Sequence, residues 1–190
     1  LDPDSQSCEH GLENCLHFGD LGRYIVDNGL GREISKEETK EILKQAAEAG
    51  LVHGISNWQE GADTLCNCCR CCCLFLEAYH ILGHHKGHDA SNYIVRTNQK
   101  TCIACGLCVD RCPMDALQLE ESREATNKKG KAVALNADRC IGCGVCVYKC
   151  PSESLVLECR EEICDPPKDV REWTKKWFAD KKAATEKDNL

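Results

Sequence analysis

Residues 102–113 read CIACGLCVDRCP and residues 140–151 read CIGCGVCVYKCP, two copies of C-x2-C-x2-C-x3-C-P set 38 residues apart. The likeness continues past the cysteines, because Leu117 falls opposite Leu155, and Leu119 opposite Leu157, at the same offset. An internal repeat of a short thiol-rich unit constrains folding more than any hydrophobic pattern in the chain, since each copy must gather its cysteines around something. A lone C-x2-C serves zinc or a redox dithiol equally well, whereas two complete runs of this spacing are far more specific.

Three cysteines at two-residue intervals let one short loop offer three thiolates to one side of an iron–sulfide cube. The fourth ligand comes from elsewhere: in runs of this type the last cysteine, turned away by the following proline, reaches the other cluster. This reasoning assigns Cys102, Cys105, Cys108 and Cys150 to one [4Fe-4S] cluster, and Cys140, Cys143, Cys146 and Cys112 to a second. Gly106, Gly142 and Gly144 allow tight turns and close approach of backbone N–H groups to sulfur. Ile103, Ile141, Leu107 and Val145 would screen the clusters from water, a role compatible with ordinary core packing. A zinc ribbon rarely uses this doubled spacing and would leave cysteines over.

Across residues 92–158 the chain resembles the bacterial-type two-cluster ferredoxins. The resemblance implies an α+β fold in which a ferredoxin-like (β-α-β)2 module forms the C-terminal part. NYIVR and ALQLE would be the strands of the first half, KAVALN and SLVLE those of the second, with ESREATNKKG a hairpin extension between them. It also implies a one-electron carrier, acting freely with redox partner proteins or as a relay inside a stable oxidoreductase complex.

Residues 66–73, CNCCRCCC, hold six further cysteines in eight positions. Adjacent thiols such as Cys71, Cys72 and Cys73 suit a pairwise disulfide framework badly, so metal thiolate sites are the better account of the eighteen cysteines. The preferred expectation is at least one additional iron–sulfur cluster, held by some of Cys66, Cys68, Cys69, Cys71, Cys72 and Cys73 with help from Cys8 or Cys15. A structural zinc site, a redox-active pair at the C-x-x-C spacings Cys66–Cys69 or Cys69–Cys72, and a metal-storage role are the alternatives. With the run as a substrate-facing cluster or a redox dithiol, the chain would be a reductase or a subunit of one. Arg70 would favour thiolates in any of them. The order CLHFG, GLGREISKEETKEILKQAAEAGLVHGISN, CNCCRCCC and then a two-cluster module resembles a family of cysteine-rich iron–sulfur proteins of anaerobic bacteria and archaea. Its members carry a further upstream C-x-C segment, so the resemblance implies a shortened chain, and it brings no particular reaction with it.

Residues 32–54 predict a helix, with Ser35 and Glu38 as a capping box and Gly50 as its stop, followed by a strand or extended turn at LVHGIS. The expected organisation is a mainly helical cysteine-rich domain over 1–90, a two-cluster domain over 91–160 and a helical tail over 161–190. The acidic helix face and a net charge of −7 exclude a general nucleic-acid binder. GLGREI, residues 29–34, lacks the third glycine of a dinucleotide fingerprint. The first thirty residues hold no basic and apolar leader, and no stretch is long enough to span a bilayer, which predicts a soluble cytoplasmic protein. His80, His84, His85 and His88 are read as a polar loop, and Cys159 and Cys164 as free thiols. Trp173, Trp177 and Phe178 in the tail would cap the two-cluster module or dock on another chain. No catalytic residue is assigned.

Overall fold

The computed structural model describes residues 8–11, 13–83 and 91–188, with side chains as far as residue 182. His84, His85 and His88 lie outside the described residues. The chain is α+β. Its N-terminal part runs β1 (Leu16–His17), α1 (Gly19–Asp27), α2 (Lys36–Ala49), β2 (Val52–Ile55), β3 (Thr64–Cys68) and α3 (Leu74–Ile81). The three strands form an antiparallel sheet in the order β1-β3-β2, with Leu16 opposite Leu65 and Val52 opposite Cys68. The expectation of a mainly helical N-terminal part therefore omits the element that matters most there, since β3 carries the start of the crowded cysteine run.

α2 begins where the sequence places it, with the Ser35 hydroxyl accepting from the Glu38 N–H, and it stops at Gly50 in the left-handed conformation. Only half of the capping box forms. The Glu38 carboxylate turns to Arg32 at 2.6 Å, a guanidinium being a stronger partner than a backbone N–H.

The C-terminal part runs β4 (Tyr93–Thr97), α4 (Leu107–Arg111), β5 (Leu117–Glu121), β6 (Lys131–Leu135), α5 (Val145–Tyr148) and β7 (Leu155–Cys159), then α6 (Val170–Asp188). β4 pairs antiparallel with β7, Val95 facing Leu157, and β5 pairs with β6, Leu119 facing Val133. Val95, Leu117, Val133 and Leu155 are buried between these ribbons together with Cys102 and Cys146, so a single core serves both motif copies. The 122–130 connection folds back over the first copy: Asn127 donates to the Cys102 carbonyl at 2.8 Å and Lys129 Nζ to that of Ala104 at 2.8 Å.

A second core joins the two parts. Leu76 and Tyr79 of α3 are buried against Met114 and Ala116, with Cys73, Cys112, Cys140 and Ile141 around them. Arg111 reinforces the joint by donating to the carbonyls of Ala47 at 2.8 Å and Glu48 at 3.1 Å in the last turn of α2, the first of which also accepts the Gly50 N–H at 3.2 Å. Glu48 is also held by Lys149 and by the Tyr148 hydroxyl, the latter at 3.0 Å. The tail is tied to the N-terminal part. Gln59 and Glu60 donate backbone N–H bonds to the carbonyls of Pro167 and Lys168, both at 2.9 Å, and the Trp173 ring lies 6.1 Å from that of Trp58. Trp173 is thus engaged within the chain, while Trp177 and Phe178 remain exposed.

Candidate metal centres

The thiols of the doubled motif line two cavities. One is bordered by Cys112, Cys140, Cys143 and Cys146, with Met114 and Leu157 among its apolar walls. The other is bordered by Cys102, Cys105, Cys108 and Cys150, with Leu119 and Ser154 among its walls. Each cavity therefore takes three thiols from one motif copy and the fourth from the other.

Local backbone geometry explains how so short a loop can encircle a group. Ala104 and Gly142 occupy equivalent places in the two copies, both left-handed at φ 53° and 71°, and the next turn is again left-handed at Gly106 and Gly144. These turns direct N–H groups inward: Ala104 N–H points at Cys102 Sγ, 3.4 Å away, and Ala116 N–H at Cys112 Sγ, 3.3 Å away. Soft thiols, apolar walls and N–H groups aimed at sulfur make up the donor set an iron–sulfur cube requires, so the residues present fit that group.

Burial, then neighbouring thiols, push Cys108 up to about 11; burial also raises Cys143 to about 11 and Cys146 further. Cys150 runs the other way. Burial opposes ionisation there, but hydrogen bonds from Ser154 and Ser152 leave the thiol below its ordinary range. Ser154 Oγ stands 3.3 Å from the sulfur, and Ser152 donates to Ser154 at 3.2 Å, leaving the Ser154 proton for Cys150. The equivalent positions around Cys112 are Met114 and Ala116, which offer no hydroxyl. The screening expected of Ile103 and Leu107 is incomplete, since they are 49% and 40% exposed and Cys105 is exposed beside them, whereas Val145 is buried.

The crowded run is divided by its own geometry. Cys66 and Cys68 share one face of β3, as residues two apart on a strand must. Cys73 hydrogen-bonds Cys68, and Cys15 lies near enough to raise the thiols of both Cys66 and Cys68, after burial for Cys66 and after the Cys73 bond and burial for Cys68. Beyond β3 the chain turns, with Cys72 and Cys73 N–H bonded to the Cys69 carbonyl, and Cys69, Cys71 and Cys72 gather around Cys8. Burial, followed by the neighbouring thiols, pushes Cys69 up; a backbone hydrogen bond at His10 leads the effects that bring Cys8 down to about 7. Arg70 does not face the thiols as an isolated charge, because it pairs with Asp115 at 2.7 Å. His80 bonds the Pro113 carbonyl at 2.6 Å and serves the joint between the two parts. Cys159 and Cys164 are exposed free thiols, and no cysteine forms a disulfide.

Sequence reasoning missed Arg111, Met114 and the Ser152–Ser154 pair. The serines alone carried a signal, as a polar substitution in one copy of an otherwise apolar repeat. No helix among the described residues is long and apolar enough to cross a membrane. Comparison with curated proteins finds no match to the chain. Residues 101–154, which include all eight motif cysteines, match the family model of the 4Fe-4S dicluster domain, supporting an iron–sulfur, ferredoxin-like module within this chain.

Proposed function

We propose that the chain is a one-electron relay holding two [4Fe-4S] clusters, one on Cys102, Cys105, Cys108 and Cys150 and the other on Cys112, Cys140, Cys143 and Cys146, with an additional metal centre on the cysteines of the N-terminal part. The carrying observation is the pair of cavities, each lined by three thiols of one motif copy and the fourth of the other. When bound, such a cluster supplies uptake and release of single electrons without breaking a substrate bond. The protein's residues hold and tune it: Met114 and Leu119 wall the cavities, the Ala104 and Ala116 N–H groups and the Ser154 hydroxyl bond to sulfur, and Lys129 places a positive charge against the first loop.

Geometry also supports an order along the relay. Cys73 of the crowded run packs against the same buried cluster, Leu76, Tyr79, Met114 and Ala116, as Cys112 and Cys140 do, while Cys105, Ile103 and Leu107 put the other cavity at the surface. Electrons would then pass between that surface cavity and an external redox partner, whether a diffusing protein or a neighbouring subunit of an oxidoreductase. Eighteen free thiols suit a reducing compartment such as the cytoplasm. A second reading takes exposed Cys71 and Cys69, whose sulfurs are 3.2 Å apart, as a redox dithiol fed by the relay. It predicts a disulfide reductase activity that Cys71→Ser abolishes with both clusters intact.

The relay is tested by Cys150→Ser and Cys112→Ser in anaerobically purified chains. Crossed ligation predicts that the first alters the spectrum of the cluster on Cys102, Cys105 and Cys108, and the second that of the cluster on Cys140, Cys143 and Cys146. Each variant disturbing the cluster of its own motif would contradict the assignment.

A further inference from the structure

Cys8 returns across the sequence to the turn that follows β3. Its sulfur lies 3.6 Å from that of Cys69 and 3.6 Å from that of Cys72; Cys69 and Cys71 are 3.2 Å apart, and Cys71 and Cys72 4.0 Å apart. All four sulfurs fall within 4.8 Å of one another, the one group of three or more His, Cys, Asp or Glu ligand atoms so close among the described residues.

Those separations discriminate between a single ion and a cluster. Four sulfurs bound at about 2.3 Å to one tetrahedral ion occupy corners separated by 1.63 times that length, or about 3.8 Å. Four of the six separations, 3.2 to 4.0 Å, bracket that value, and the other two lie within 4.8 Å. In a cube each thiolate binds a different iron, so the four sulfurs stand outside the cube and farther apart. The motif cysteines around the two cavities behave in that way, for none of their quartets closes to the same span.

We propose that Cys8, Cys69, Cys71 and Cys72 form a closed tetrathiolate site for one thiophilic divalent ion, zinc or iron, and are not the ligands of a third cube. With four protein sulfurs and no open position, the site is of the structural kind. It joins the segment around residue 8 to the turn beyond β3 and thereby fixes that turn against the Cys112–Cys140 side of the joint, through Cys73 and the Arg70–Asp115 pair. The thiols lose protons as the ion enters, so occupancy weakens as pH falls. Cys15, Cys66, Cys68 and Cys73 stand apart from this group. The site does not depend on the relay reading.

The test is total metal against acid-labile sulfide in the anaerobically purified full chain, because a cube contributes iron and sulfide equally whereas a tetrathiolate ion contributes metal alone. The expected result is an excess of about one metal ion per chain over sulfide, whatever the number of cubes. The excess should vanish in Cys69→Ser/Cys72→Ser and survive in Cys66→Ser/Cys68→Ser; elemental analysis tells zinc from iron. Should the first variant fail to fold, Co2+ exchanged into the wild-type site gives an independent reading. One equivalent with tetrahedral thiolate absorption, and X-ray absorption showing four sulfurs and no neighbouring metal, supports the site. Metal equal to sulfide, metal–metal scattering at the exchanged cobalt, an excess that survives Cys69→Ser/Cys72→Ser, or a Cys69–Cys71 disulfide in the purified chain would each overturn it. Sulfide below about eight per chain would instead overturn the relay and leave this site standing.

Discussion

Gly142→Ala probes how the second motif copy is held. Gly142 has φ +71°, where an L residue costs about 1–2 kcal/mol. A Cβ there would stand 2.8 Å from the carbonyl carbon of Tyr93, and closer still to the Tyr93 oxygen and Ser91 Oγ. Neither neighbour can swing aside. Tyr93 is paired with Cys159 in the β4–β7 ribbon, and Ser91 donates its N–H to Ile141 and its hydroxyl to Gly142, both at 3.0 Å. Overpacking against fixed backbone adds about 1–3 kcal/mol, for a total of about 2–5 kcal/mol. The equivalent residue of the first copy supplies the control. Ala104 already carries a methyl at φ 53° and is buried. Ala104→Gly removes about 0.8 kcal/mol of burial but relieves left-handed strain, so the net change should stay within about 1 kcal/mol. Gly144→Ala falls between, because its Cβ would meet the movable Leu157 Cδ1 at 2.9 Å. Anaerobic denaturant unfolding with iron analysis on the three variants should rank them in that order, Gly142→Ala losing most stability and iron. Wild-type midpoint and iron content in Gly142→Ala would refute the idea that the close approach of residues 91–93 fixes this loop.

Ser154→Ala should lower the potential of the cluster on Cys150 and leave the other unchanged, because the hydroxyl favours the more negative reduced state. The expected fall is tens of millivolts, about 59 mV corresponding to a tenfold change for one electron, and a redox titration followed by EPR reads it. The fold should tolerate the change, alanine being the residue at the equivalent position 116. Arg111→Met removes the bonds to Ala47 and Glu48 and a third to Val145 at 3.3 Å, which should cost about 2–4 kcal/mol and expose α2 to limited proteolysis. Met114→Ala opens a void between α3 and the cavity bordered by Cys112, Cys140, Cys143 and Cys146; a loss of about 2–5 kcal/mol in denaturant unfolding is expected, with faster release of iron from the Cys112 side than from the Cys150 side.

Much of the C-terminal part could be read from local pattern. The doubled motif, its offset and the proline after each fourth cysteine fix which loops lie beside which, and alternating apolar residues mark the strands around them. Ser35 and Gly50 marked the ends of α2 for the same reason, as caps act within one turn. The crowded run resisted because its meaning is long-range. Six thiols in eight positions do not reveal that Cys66 and Cys68 point one way on a strand while Cys69, Cys71 and Cys72 turn to meet Cys8, a contact spanning 61 residues. Nor does any local pattern distinguish Arg111 from an exposed cation, or show that Trp173 meets Trp58. Both depend on how the N-terminal part rests on the two-cluster module.

The central claim is that two clusters occupy one core. Sulfide analysis of the anaerobically purified chain, combined with a reductive titration followed by EPR, tests it most directly. The account predicts at least about eight acid-labile sulfides per chain and two centres that each accept one electron. About four sulfides and a single reducible centre, or zinc in place of iron on the motif cysteines, would contradict it.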